Sequence, residues 1–136
     1  MNWYRKAAEQ GNASGQASLG VSYANGTGVV QDDKEAVNWC RKAAEQGNAN
    51  AQYNLAINYA KGTGIPQDYV SAYAWCSLAA AQDGGDATTL RDLIQKEMTR
   101  DQVAEAQRMA ASLDAAIRSL KSQRTDGTAL PSTRPK

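Results

Sequence analysis

The 136-residue chain contains no histidine and only two cysteines. Without an imidazole, a serine or cysteine nucleophile lacks its usual base, and no histidine-containing zinc site can form. No serine is followed by lysine three residues on, so the Ser-x-x-Lys nucleophile pattern is missing too. Excess charge is equally scarce: 15 Lys and Arg stand against 14 Asp and Glu. Such a balance supplies no field toward nucleic acid or an anionic membrane, and neither is expected as a partner. No window approaches the roughly 18 apolar residues of a membrane-spanning helix, and the N-terminal MNWYRKAAEQ lacks the apolar run of a signal peptide. Membrane insertion is not expected, and no compartment is assigned.

What the chain does have is a period. WCRKAAEQGNA at Trp39 to Ala49 nearly copies WYRKAAEQGNA at Trp3 to Ala13, and Trp75 follows another 36 residues on. Laying residues 3–39 over 39–75 gives 21 identities in 37 positions. A repeat of this length predicts an all-α solenoid, whose units bury their apolar faces against one another. The expected organisation is a helical repeat domain over 1–122, made of a half unit at 1–12, repeats at 13–48 and 49–84 and capping helices at 86–122. A disordered polar tail is expected at 123–136. Met1 falls in the middle of a unit, which leaves room for an upstream extension.

Each unit reads as a helix pair. From Ala49 to Ala60, Gln52, Tyr53, Ala56 and Tyr59 recur at three- and four-residue spacing, marking helix A. Lys61-Gly62-Thr63-Gly64 ends it, since glycine admits the left-handed geometry of a helix stop. Asp32 and Asp68 are placed to cap the next helix, Asp32 with Glu35 in a variant capping box. Helix B then aligns Ala36, Trp39, Cys40, Ala43 and Ala44 as a buried stripe, with Lys34, Arg41, Lys42 and Glu45 toward solvent. Alanines at 7, 8, 43, 44, 79 and 80 allow close helix approach. Cys40 and Cys76 occupy one slot of neighbouring units, expected about 8–10 Å apart, beyond the roughly 7 Å reach of a disulfide. They read as small buried fillers.

The pattern Ala17-Ser18-Leu19-Gly20-Val21-Ser22-Tyr23, then Gly26-Thr27-Gly28-Val29, Gln31-Asp32, and Ala36 through Trp39 to Asn48 resembles the Sel-one-like repeat, a relative of the tetratricopeptide repeat. The match covers residues 3 to about 84, with residue types and spacings agreeing together. The resemblance implies a bacterial, tetratricopeptide-like solenoid that assembles complexes as a scaffold, with helices A lining its inner wall. A cysteine-rich branch of the family, linked to beta-lactamase activity, bridges two cysteines within each helix pair. This chain has one cysteine in each of two repeats, so an enzyme of that type is disfavoured. In the later unit Ser77 and Leu78 replace the Arg-Lys pair and Asp83-Gly84-Gly85 replaces Gly-Asn-Ala, which suggests that the array ends there.

Beyond it, Leu90, Leu93 and Ile94 recur at helical spacing, and Thr99 with Gln102 forms a second capping-box candidate. Val103, Ala106, Ala110, Leu113, Ile117 and Leu120 make a heptad-like seam, too short for an independent coiled coil. It reads as a seal on the open end of the solenoid, with dimerisation through Val103 to Leu120 as the alternative and a monomer preferred.

Function has to come from the surface that helices A present. Asn50, Asn54 and Asn58 are spaced by four, and Ser14, Ser18 and Ser22 hold the same slots one unit earlier, so a polar ladder is expected. Asparagine supplies both donor and acceptor, as gripping the backbone of an extended peptide requires. Val21, Asn25, Ile57 and Lys61 lie beside the ladder, and Lys61 adds one charge. A solvated helix face explains the same spacing, although Glu, Lys or Gln would serve such a face with better helix propensity. The carboxylates Glu9, Asp32, Asp33, Glu35 and Glu45 fall on helix caps or solvent faces and suggest no catalytic pair. The expectation is a non-catalytic peptide- or protein-binding module with no cofactor and no metal site.

Overall fold

The computed structural model describes the backbone of residues 2–83 and 85–133, with side chains described for residues 5–82 and 85–123. Among the described residues there are seven helices and no strand. They are α1 (Asn2–Glu9), α2 (Ala13–Asn25), α3 (Asp33–Glu45), α4 (Ala49–Lys61), α5 (Tyr69–Asp83), α6 (Asp86–Gln95) and α7 (Arg100–Thr133). α2 and α4 are the expected helices A, α3 and α5 the helices B, and α1 is the helix B of the half unit.

The helix ends recur at the period of the sequence. Asn12 Oδ1 accepts the Gly15 N–H at 2.7 Å, and Asn48 Oδ1 accepts that of Ala51 at 2.8 Å, each starting a helix A. Gly26 and Gly62, at φ 72° and 75°, stop those helices and donate to Ser22 O and Asn58 O. Asp32 caps α3 through the N–H groups of Lys34 and Glu35, and Asp68 accepts from both the N–H and the Oγ–H of Ser71. The reciprocal half of the expected box at Asp32 does not form. The Asp32 N–H donates instead to Tyr23 O at 2.9 Å, because the loop folds back onto the end of α2. The Thr99 box is complete: Gln102 Oε1 accepts the Thr99 N–H at 2.8 Å while Thr99 Oγ1 accepts the Gln102 N–H at 3.1 Å.

From α1 to α6 each helix packs on its neighbours in the chain, and α7 returns to lie against α5. Ala43, Ala44, Ala51 and Ala56 are fully buried, so backbones approach closely. A Cβ on Gly20 would sit 3.1 Å from Ala36 O, which shows how near α2 comes to α3. Two buried glutamines tie the units together. Gln52 Nε2 donates to Ala44 O in the last turn of α3, and its Oε1 accepts from Gln82 of α5 at 3.0 Å. One unit earlier, Gln16 Nε2 donates to Ala8 O and its Oε1 accepts from Gln46 at 2.8 Å. Cys40 and Cys76 are free and buried, and each thiol donates across the core to a carbonyl of the following helix, Ala51 O and Ala87 O. Arg41 Nη2 reaches Tyr59 Oη at 2.8 Å, as Arg5 Nη2 reaches Tyr23 Oη at 3.0 Å.

The structure corrects the expected tryptophan stripe. Trp39 is only half-buried; its indole N–H is enclosed without a partner, and Lys42 Nζ lies 4.5 Å from the ring centre. Val37, outside the expected stripe, is buried on α3 beside Ala36, Cys40, Ala43 and Ala44. Trp75 is different: it is buried in one cluster with Leu78 of its own helix and Ile117 and Leu113 of α7. Leu78 stands where the previous unit has Lys42, and this exchange of an ammonium for an isobutyl group prepares α5 to receive α7. The side chain of Trp3 lies outside the described residues.

The seam faces inward along most of its length. Ala106 and Ile117 are buried, Val103, Ala110 and Leu113 half-buried, and Leu120 is 38 % exposed. On α6 the inward residues are Leu90 and Ile94, whereas Leu93 is exposed. The backbone of α7 is helical to Thr133, across most of the segment read from sequence as a polar tail; residues 134–136 lie outside the description.

Two stability measurements check this packing. Trp75→Ala should cost about 3–5 kcal/mol in urea unfolding, and Trp39→Ala clearly less; equal losses would contradict the asymmetry. Ending the chain at Thr99 should abolish cooperative unfolding. A folded, monomeric truncated chain by size exclusion with light scattering would instead favour a dimerising role for the seam.

Candidate functional site

α2 and α4 both pack on α3 and only sparsely on each other. A cleft of about 250 Å³ remains between them. Its walls are Val21, Ala24 and Asn25 of α2 and Asn54, Ile57 and Asn58 of α4, with Gly20 and the α3 residues Ala36 and Cys40 beneath. A second, more open hollow of about 360 Å³ adjoins it and shares Ala17, Val21 and Asn54; Asn50, Ser18, Ser22 and Thr27 complete its lining.

The four-residue spacing sets Asn54 and Asn58 on the wall of the cleft, and Asn50 with Asn54 on the wall of the adjoining hollow. Asn50 is exposed, and Asn54 and Asn58 are half-buried. Ser18 joins them, half-buried. Ser22 is buried at 7 % exposure, so it contributes little surface. Ser14, near the start of α2, and Lys61, the last residue of α4, are exposed and stand outside the lining of both hollows. The serine half of the ladder is thus narrower than its spacing implies. Asn25 faces Asn58 from the opposite wall, so carboxamides flank the cleft on both sides. Spacing within one helix could not reveal this, because it depends on how α2 and α4 are set side by side. Thr27 entered the sequence reading only within the Gly26-Thr27-Gly28-Val29 loop and Ala24 not at all, since neither residue type marks a binding wall by itself.

The chemistry of the lining is neutral. No charged side chain borders either hollow, and each carboxamide offers an N–H₂ donor and a carbonyl acceptor. Cys40 beneath the cleft is no nucleophile: burial pushes its thiol up to about 12 and that of Cys76 up to about 11, with Arg41 and Arg91 opposing only in part. Among the described residues no group of three His, Cys, Asp or Glu side chains is arranged to hold a metal ion, and no helix is long and apolar enough to cross a membrane.

The thiols yield a pH prediction. Their folded pKa values lie above the ordinary thiol value of 9.0, so the folded state favours the protonated form. This contribution is full below about pH 9 and is lost as pH rises toward 12. Urea unfolding midpoints should fall over that interval, and fall less in a Cys40→Ala, Cys76→Ala chain. In native protein at pH 8 both thiols should resist an aromatic disulfide reagent and react only upon unfolding.

Comparison with known proteins places this architecture. No curated protein matches the chain. Among solved structures, a protective antigen present in uropathogenic Escherichia coli strains, displaying an SLR fold, superposes with a TM-score of 0.81 at 34 % identity over 89 % of this chain. A Sel1 repeat protein from Oxalobacter formigenes gives a TM-score of 0.63 at 42 % identity over 68 % of this chain. The chain spans 27 % and 38 % of those two proteins. The Sel1 repeat model matches residues 1–12, 13–48 and 49–84, the same divisions that the tryptophan period and the helix caps mark. The chain belongs to the Sel1 repeat family.

Proposed function

We propose that the chain is a non-catalytic scaffold module that holds an extended segment of a protein partner on the face formed by α2 and α4. The observation that supports this reading is the neutral cleft between those helices, with Asn54 and Asn58 on one wall and Asn25 on the other. Carboxamides on two sides suit the backbone of an extended peptide, whose N–H and C=O groups point alternately to either flank. Asn50, Ser18 and Ser22 extend the polar rim, and Ser14 and Lys61 flank it at the helix ends. Sel1 repeat proteins generally act as protein-interaction scaffolds, and the reading agrees with that role. An enzymatic reading of the beta-lactamase-like kind gains nothing from the site, where the one thiol is protonated and donates to Ala51 O. Oligomerisation through α7 is disfavoured because the seam is engaged with α5 within the chain.

The test compares full-length chain with Asn54→Ala in affinity capture from a bacterial lysate, quantified by mass spectrometry. Losing one or two hydrogen bonds of about 1 kcal/mol each should weaken capture roughly five- to thirtyfold. Circular dichroism and melting temperature should stay unchanged, since Asn54 lies outside the core. Equal capture by the two proteins would remove the ladder from the function.

A further inference from the structure

We infer that the α2–α4 cleft selects one uncharged, apolar side chain from a short extended segment of the partner. This inference rests on the peptide-binding reading above and specifies the chemistry of the bound segment. Its first support is electrostatic. The cleft is lined by Val21, Ile57 and Ala24, with the carboxamides of Asn25, Asn54 and Asn58 around them and no charged group. A carboxylate or ammonium inserted here would lose its water and meet no counter-charge, whereas an alkyl group gains by leaving water. The electrostatic complement of this lining is a neutral group.

Size and floor give the second support. About 250 Å³ floored by Gly20, Ala36 and Cys40 has room for a branched aliphatic side chain and an apolar surface to receive it. Cys40 adds no polar demand, because its thiol proton is already engaged with Ala51 O at 3.0 Å.

The third support is the contrast with the next unit. Leu90 and Ile94 occupy, on α6, the slots that Asn54 and Asn58 hold on α4. Leu90 packs against the cores from its half-buried position and Ile94 is buried within one of them, with Tyr59 and Ala60 of α4 against that cluster. The carboxamide pair is therefore not continued there, so the bound segment is short. From Asn50 to Asn58 the ladder covers about 12 Å at 1.5 Å per residue, the span of about four extended residues at roughly 3.3 Å each.

Blocked hexapeptides, acetyl-Gly-Ser-Xaa-Ser-Gly-Ser-amide with Xaa as Val, Leu, Asp or Lys, test the inference. Each is titrated into the ¹⁵N-labelled full chain while the side-chain carboxamide signals of Asn25, Asn54 and Asn58 are followed. The Val and Leu peptides should move these signals with dissociation constants at least tenfold lower than the Asp and Lys peptides. Ala24→Leu, which fills the cleft from an exposed position and should leave the melting temperature unchanged, is expected to weaken the Val peptide at least tenfold. Comparable binding of charged and aliphatic peptides, undiminished Val binding by Ala24→Leu, or no signal movement with any peptide would each overturn the inference. The broader reading fails separately, if lysate capture is indifferent to Asn54→Ala. Capture that depends on Asn54 but not on Ala24→Leu would leave a backbone-gripping ladder without a side-chain pocket.

Discussion

The array depends on a glutamine buried where three helices meet. Gln52 is 1 % exposed and ties the end of α3 to α4 through Ala44 O and to α5 through Gln82; Gln16 does the same for α1, α2 and α3. A carboxamide sealed from water is tolerable only with its hydrogen bonds made, and here both ends are engaged. An apolar side chain would pack against these helices with no directional demand. A glutamine fixes their relative rotation as well, because its donor and acceptor must each find one particular partner. Gln82 also donates to Gly47 O, so the same network holds the turn between α3 and α4. Clamped to helices B on both sides, α2 and α4 are not drawn together, and the cleft between them follows.

Much of this was legible in the residues. The 36-residue period, the Gly62 stop, the Asp32 and Asp68 caps and the Thr99–Gln102 box rest on local chemistry that one stretch of chain contains. The asymmetry between Trp39 and Trp75 was not read from sequence, since the two indoles hold the same slot of the repeat and differ in whether α7 lies over them. The written signs were Ser77 and Leu78 in the places of Arg41 and Lys42. Ser22 left the ladder for a related reason: its burial follows from the packing of α2, which helical spacing alone does not determine. The cleft itself has no sequence signature, because its two walls come from α2 and α4 and meet only through α3.

The end of the array shows what a terminal unit changes. α6 begins at Gly85 without a side-chain cap, whereas α2 and α4 begin at asparagines. Ser77 stands in the slot of Arg41, so the arginine–tyrosine bond is not repeated. Polar devices that would bind a further unit give way to Leu78, Leu90 and Ile94, and α7 covers them. The Cys76 thiol bond to Ala87 O persists, which shows that α6 still docks as a helix A would.

The glutamine network reaches one helix back and one helix forward and no farther. Each internal unit therefore brings its own buried glutamine, the donor that completes it, and the acceptor carbonyl for the glutamine of the unit after it. Tandem duplication of residues 13–48 would lengthen the array using only contacts already present, while the junction of α5 with α7 and with the turn at Gly47 stayed as it is. Growth of the chain is in this sense a matter of copying rather than of redesign, and each added copy would bring one more groove beside a helix A. The variety of partners available to such arrays would then come from changing a few groove residues from copy to copy.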